Sequence, residues 1–351
     1  MSRSRGSTTV YRRLSALFGA LALAVLLLSV SEAGAQVPPD DPAPDVTKAD
    51  SPPAEPFETG RFVVRFSASA SLSPATSRSW DERGKLVVDA LQKTATSAQA
   101  QAISMIESTS GATYESHWIS NAVVVDGPAG LIERLRGLPG VEEVRPELAR
   151  PIQAPVQTAA ATAADLTDPT WGVEKIGAPA AWTQGVLGGG VVVASLDSGV
   201  QFDHPAIVEK YRGNLGGGLF DHDYNWFDAS RTCADSAVPC DDYGHGTHTM
   251  GTMVGGDGPG PFAPDIGVAP GAQWITVSCG PFFCNDSQLM EAGEWLLAPR
   301  DLNGENPDPA RRPDIINNSW GGGPGDPFFL DFVTAWRAAG IVPVFAAGNP
   351  G

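Results

Sequence analysis

The sequence predicts an α/β fold, in which a parallel β-sheet interleaved with helices follows a small α+β domain of ferredoxin-like type. Across residues 169–351, short apolar strands alternate with longer helical or loop segments, as in a parallel sheet buried on both faces. Residues 59–150 follow a β-α-β-α-β order, which is typical of a small α+β domain. The composition, with 42% hydrophobic and 18% charged residues, is that of a globular chain.

The first 35 residues have the layout of a secretory signal peptide. Arginines precede the apolar run 14–30, and the small residues Ala33, Gly34 and Ala35 follow it. The run is near the lower length limit for spanning a bilayer, so an uncleaved membrane anchor is the alternative. We expect cleavage after Ala35, a secreted, extracellular product and no membrane attachment afterwards.

The next segment, 36–58, is rich in Pro, Asp and Ala, and this composition predicts an extended linker. Residues 59–150 then form the predicted α+β domain, in which no catalytic cluster is visible. A further strand before Trp118 is an open alternative, because the sequence pattern does not separate it from its neighbours. Its predicted elements are strands at 61–66, 117–125 and 141–144 and helices at 90–108 and 129–138.

A second linker, 151–168, is rich in Ala and Thr and is the natural place for a proteolytic cut. Beyond it, the pattern changes to that of a parallel sheet. The predicted strands are 190–196, 273–278, 314–318 and 341–346, and the predicted helices are 178–184, 247–254, 286–297 and 329–339.

The formal net charge of -17 argues against nucleic acid as a partner, because phosphate binding depends on clustered Lys and Arg. Solubility explains the acidity, and an acidic site for a basic substrate is the alternative.

Four cysteines fall in two close pairs, Cys233 with Cys240 and Cys279 with Cys284. In an exported protein this spacing indicates two short-loop disulfides, although three pairings exist and zinc binding is the alternative.

Asp197 and His245 are the first candidate catalytic residues in the sequence. Asp197 closes the strand 190–196, where functional groups of parallel sheets gather, although Asp before Gly is also common in turns. His245, between two glycines, precedes a predicted helix and would act as a general base if a carboxylate lay nearby. A metal site formed with His248 is the alternative.

Two further motifs follow later strands. Ser319, Trp320 and Gly321 precede more glycines, and such an edge can pair with an extended peptide or be a flexible loop. The amide of Asn349 could donate a hydrogen bond to an oxyanion, or Asn349 could simply form a turn before Pro350.

Taken in order, these motifs resemble the subtilisin family of serine proteases (subtilases, peptidase S8). The segments that carry the resemblance are Leu196–Gly199, His245–His248, Ser319–Gly321 and Ala346–Asn349, and 171–178 resembles the start of the mature domain. The Ser-Trp-Gly-Gly form is similar to the bacillopeptidase F branch.

The resemblance implies a serine-type endopeptidase precursor that acts on polypeptide substrates. Asp197 would orient His245, His245 would be the general base, Asn349 would stabilise the oxyanion, and Ser319–Gly321 would bind substrate. Residues 59–150 would be an inhibitor-I9-like propeptide, which is the enzyme's own intramolecular inhibitor. No cofactor is required, and the family allows a structural calcium ion, to which the acidic loop 221–223 offers oxygens.

One departure from the family is the absence of a Gly-Thr-Ser motif, which holds the nucleophile, from these 351 residues. We therefore expect the serine to lie beyond the end of this chain and the 351 residues alone to be inactive. A non-catalytic, propeptide-like protease inhibitor or folding chaperone is the alternative.

Overall fold

The structure, a computed structural model, describes residues 57–152, 169–256, 266–321 and 326–349. The predicted signal peptide (1–35), most of the predicted linker 36–58 and the segment 153–168 lie outside the described residues. The chain divides into two compact units. All described residues belong to the second unit, Val46–Gly351.

The N-terminal domain has the predicted ferredoxin-like arrangement. Its elements are β1 (Phe57–Phe66), α1 (Trp80–Glu107), β2 (Thr113–His117), β3 (Ala122–Asp126), α2 (Ala129–Arg136) and β4 (Val141–Pro151). The four strands are antiparallel and stand in the order β4-β1-β3-β2. Alternating apolar residues of the sheet, such as Val64 and Val123, pack with Ile106 of α1 and Leu131 of α2.

Several boundaries in this domain differ from the sequence prediction. The first helix begins at Trp80 rather than Ala90, and the acidic residues of its first turn interact favourably with the helix dipole. Within 117–125, the strand β3 begins only at Ala122, after a turn in which Asn121 adopts a φ of 45°, and β2 is the further strand before Trp118. Strand β4 extends as far as Pro151, because its last residues pair with a strand of the C-terminal domain.

The described residues from 169 onward, which we call the C-terminal domain, contain the predicted parallel sheet. Its strands are β5 (Val192–Asp197), β6 (Asn214–Gly216), β7 (Leu219–Phe220), β8 (Trp226–Asp228), β9 (Gln273–Ser278), β10 (Phe283–Asn285), β11 (Ile315–Asn318) and β12 (Val342–Phe345). Five of these are parallel neighbours in the order β12-β11-β5-β9-β8. The sequence predicts four of the five, and misses β8 because three residues are too few to show a period.

Five α-helices belong to the C-terminal domain. They are α3 (Trp171–Lys175), α4 (Ala178–Trp182), α5 (His245–Val254), α6 (Asp286–Leu297) and α7 (Leu330–Ala339). Short 3-10 helices cover Ser73–Ala75, Val208–Lys210, Pro309–Arg311 and Pro327–Phe329. Within the described part of the chain, no helix has both the length and the apolar character needed to cross a bilayer.

The two domains share a hydrophobic core. Val87 of α1 and Ile119 belong to the same buried cluster as Leu289 and Trp295 of α6 and Phe332 of α7. Such continuous apolar burial holds the N-terminal domain against α6 and α7.

Buried carboxylates add polar contacts across this junction. Glu294 of α6 accepts the backbone N–H groups of Trp118 and Ile119. In the opposite direction, Glu147 of β4 accepts the N–H of Ser287 in the first turn of α6, at 2.9 Å. These bonds satisfy backbone donors that a helix start and a turn would otherwise leave unpaired.

Two disulfides bond the cysteines in local pairs. Cys233 is joined to Cys240 and Cys279 is joined to Cys284, which is the pairing that the sequence spacing favours. The second disulfide links the end of β9 to β10, so it holds β10 beside the parallel sheet.

Candidate active site

The side chains of Asp197 and His245, far apart in sequence, meet at the carboxyl edge of the sheet. The imidazole Nδ1 of His245 lies 2.7 Å from a carboxylate oxygen of Asp197. Asp197 is the last residue of β5 and is fully buried, whereas His245 is the first residue of α5. Because Nδ1 faces the carboxylate, Nε2 is the nitrogen that can exchange a proton with another group.

Two neighbouring groups fix the carboxylate of Asp197. The backbone N–H of Ser198 donates to Oδ1 at 2.7 Å, and the hydroxyl of Thr249 donates to Oδ2 at 3.0 Å. Since Thr249 lies one turn along α5 from His245, the helix positions both the imidazole and a support for its partner.

A second carboxylate, Asp241, organises the start of α5. It accepts the Ser198 hydroxyl at 2.8 Å, the Gly244 N–H at 2.8 Å and the Thr247 N–H at 2.8 Å. Sequence reasoning gave Asp241 no role, although a carboxylate just before a helix start is a capping signal.

Two glycines allow the strand end and the helix start to approach each other. Gly199 has a φ of 104°, and a Cβ there would lie 2.0 Å from the carbonyl oxygen of Cys240. A Cβ on Gly246 would lie 1.9 Å from the carbonyl oxygen of Gly199. Any larger residue would therefore push His245 away from Asp197.

The electrostatic environment favours the protonated form of His245. Burial lowers the pKa of its imidazole, but the hydrogen bond to Asp197 and the charges of Asp197 and Asp241 outweigh burial and raise the pKa above its usual value. The site can therefore accept a proton at Nε2 and stabilise the resulting imidazolium.

The predicted peptide-binding strand is paired with a segment of this chain. Trp320 forms an antiparallel bridge with Ile152, and on the other side the N–H of Ile152 donates to the carbonyl of Phe282 at 2.9 Å. The preceding residues 149–151 pair with β10. An extended segment with hydrogen-bonded partners on both edges is the arrangement expected of β-augmentation.

The last predicted residue, Asn349, follows β12 and is exposed. Asp197 thus ends β5, and Ser319 and Asn349 follow β11 and β12, so the three residues lie at the same edge of three adjacent parallel strands.

Comparison with known proteins agrees with this geometry. The sequence model of the subtilase family matches residues 188–351. This part of the chain belongs to the subtilase family. The subtilase domain thus includes Asp197 and His245 and the strands that precede Ser319 and Asn349.

Curated relatives extend the likeness beyond that domain. The chain is 39% identical to bacillopeptidase F of Bacillus subtilis (strain 168) over 84% of its own length and 21% of that protein. It is 33% identical to the major intracellular serine protease of the same organism, over 53% of this chain and 51% of the relative. Subtilisin E of that organism is 30% identical over 52% of this chain and 40% of the relative. The chain therefore spans about a fifth to a half of these relatives.

Among solved structures, fervidolysin from Fervidobacterium pennivorans aligns with a TM-score of 0.48 and 17% identity. The alignment covers 84% of this chain and 40% of that one.

The described part of the subtilase domain gives no support to the alternative metal sites. No group of three or more His, Cys, Asp or Glu side chains there is arranged to hold a metal ion. In the acidic loop, Asp221 accepts the N–H of Asp223, which in turn accepts the N–H of Leu302. Both carboxylates of this loop therefore serve as backbone acceptors.

Proposed function

We propose that this chain is the N-terminal part of a secreted serine endopeptidase precursor of the subtilase family. The observation that carries the proposal is the buried pair of His245 and Asp197, 2.7 Å apart in a subtilase domain. The chain covers about a fifth of bacillopeptidase F, and the proposal places the nucleophilic serine beyond residue 351.

Each predicted residue has a role in this reaction. His245 takes the proton of the serine hydroxyl at Nε2 and later gives it to the leaving amine, while Asp197 stabilises the imidazolium. Asn349 donates its amide N–H to the oxyanion of the tetrahedral intermediate. The segment Ser319–Gly321 and β10 bind the substrate main chain as neighbouring strands.

The N-terminal domain acts in this proposal as a propeptide that inhibits the enzyme. Its support is the segment 149–152, which pairs with β10 and Trp320 and so occupies the place proposed for a substrate. The shared core with α6 and α7 keeps that segment in place until the chain is cut in the linker 151–168.

Secretion is supported by the signal-like layout of residues 1–35 and by two disulfides, which persist in oxidising compartments.

A fluorophosphonate probe, which labels activated serines, tests the proposal on protein expressed from a reading frame that continues past residue 351. We expect one labelled serine in a Gly-Thr-Ser motif, and no labelling of the 351-residue chain. His245→Ala should abolish labelling, whereas the matched variant His248→Ala, one turn along α5 and exposed, should keep it. Labelling that survives His245→Ala would refute the assigned base, and a stop codon after residue 351 would favour an inhibitor or folding chaperone.

A further inference from the structure

Arg150 of the N-terminal domain is a fully buried arginine whose guanidinium is held by the subtilase domain. Nε donates to Asp286 at 2.8 Å, and Nη1 donates to Asp326 at 2.5 Å. The Cζ atom lies 4.6 Å from the ring centroid of Phe328 and 4.8 Å from that of Phe329. We call Asp286, Asp326, Phe328 and Phe329 the guanidinium cage.

The chemistry of the cage matches arginine better than lysine. The two carboxylates accept hydrogen bonds from different N–H groups of the planar guanidinium, and the two phenylalanine rings lie beside its delocalised charge. An ammonium group would offer a single compact charge and no plane to stack. Because Asp286 is fully buried, it needs a paired cation, and Arg145 provides a second one at 2.5 Å.

The cage lies beside the groove in which the chain's own segment is held. Strand β4 pairs antiparallel with β10, and in this register Arg150 is opposite Cys284. Two residues later, Ile152 pairs with Trp320 and with the carbonyl of Phe282. Arg150 and Ile152 are two residues apart on an extended strand, so their side chains lie on the same face. A substrate peptide bound in the same register would therefore place the side chain opposite Cys284, two residues before the one at the Ile152 position, in the cage.

We propose that the guanidinium cage is an arginine-binding subsite of the subtilase domain, filled here by Arg150 and later by an arginine of a polypeptide substrate. The cage itself is defined by the bound Arg150, whereas its use on substrates rests on the proposed function. The chain has a net charge of -17, and an arginine-selective subsite would be a place where this acidic protein binds a basic substrate.

Chemical rescue in the 351-residue chain tests the cage without any catalysis. Arg150→Ala should lower the melting temperature, and millimolar ethylguanidinium, which replaces the atoms lost beyond Cβ, should raise it by about 2 °C. Propylammonium should not. Arg65→Ala is the matched control, because Arg65 also crosses the junction, to Asp331 at 3.0 Å, but without a described ring contact. Equal effects of the two cations, or equal rescue of both variants, would overturn the proposal.

Peptide hydrolysis by the proteolytically active form tests the substrate role. Two peptides are compared that share an Ile and differ only two residues before it, where one has Arg and the other has Gln. The Arg peptide should have a kcat/KM about tenfold higher, which corresponds to about 1.4 kcal/mol. Asp326→Asn should remove most of this preference, while the control Asp331→Asn should keep it. Equal cleavage of both peptides would overturn the subsite. If no peptide is cut, the proposed function fails instead, and the rescue experiment still decides whether the cage binds guanidinium.

Discussion

A carboxylate oxygen of Glu294 accepts the backbone N–H of Ile119 at 3.2 Å, so α6 of the subtilase domain holds the turn between β2 and β3. Trp118 donates its N–H to the same oxygen. Burial raises the pKa of Glu294 to about 7, against the opposing effects of His117 and the two N–H groups. The junction between the domains therefore contains an acid that titrates near neutral pH.

This raised pKa predicts how stability changes with pH. Between pH 4.5, the ordinary pKa of the group, and about 7, folded Glu294 holds a proton that the unfolded chain has lost. The free energy of unfolding should therefore fall as the pH rises through this window, by at most about 1.4 kcal/mol per pH unit from this group. Glu294→Gln, which keeps an acceptor oxygen for Ile119, should remove that slope in urea unfolding measured from pH 4.5 to 8.

A neighbouring carboxylate provides the control. Glu291 lies one turn away on α6 and pairs with Arg231 and Arg300 at 2.9 Å. Glu291→Gln should keep a fall in stability between pH 4.5 and 7, over a slightly narrower range, because the charge of Glu291 is the smallest of the influences on the pKa of Glu294 and helps to raise it. Parallel pH curves for Glu294→Gln and the unaltered chain would contradict this account.

The second prediction concerns the raised pKa of His245. Asp197→Asn removes the charge that outweighs burial, so the pKa of His245 should fall below its usual value in an NMR titration of the imidazole. Asp241→Asn should lower it less, since Asp241 is the weaker influence. In the unaltered chain, protonated His245 stabilises the fold at low pH, and this contribution is lost as the pH rises through the folded pKa. An unchanged His245 titration in Asp197→Asn would show that the pair does not form.

Sequence periodicity predicted the elements that carry the site, and local geometry explains what it missed. The helix Asp286–Leu297 and the strand Gln273–Ser278 have the predicted bounds, because long amphipathic or buried runs leave a clear period. The sequence could not show that β4 continues to Pro151, since its last pairs form with β10, which is distant in the chain. Long-range pairing of this kind has no local signature.

The same limit applies to individual polar residues. Asp197 and His245 stand out because each lies in a glycine-flanked motif, whereas Asp286 and Arg150 lie in unremarkable surroundings in the sequence. Their pairing becomes visible only when β4 and β10 are placed side by side. The carboxylate pocket for a guanidinium was therefore outside the reach of sequence reasoning.

The third prediction tests the close approach of β5 and α5. Gly246→Ala places a methyl group 1.9 Å from the carbonyl oxygen of Gly199, so backbone must move, and we expect a loss of about 3 kcal/mol in the free energy of unfolding. Gly251→Ala in the same helix meets only Ile266, at 3.9 Å, and should be neutral or stabilise by up to about 1 kcal/mol. Urea unfolding of both variants measures the difference, and equal stabilities would contradict it.

The last prediction concerns Arg312, a buried arginine that joins three segments of the chain. Its guanidinium donates to the carbonyls of Trp80, Pro309 and Ala339 at 2.5 to 3.0 Å, and its Cζ lies 3.6 Å from the ring centroid of Trp80. Arg312→Ala would leave these acceptors without their donors and remove the ring contact, so we expect a loss of about 3 kcal/mol. The adjacent, half-exposed Arg311 pairs with a surface carboxylate and lies 4.2 Å from the ring centroid of Tyr224, and because these contacts are exposed, Arg311→Ala should cost only about 1 kcal/mol. If both variants unfold at the same urea concentration, Arg312 does not fasten α1 to the subtilase domain.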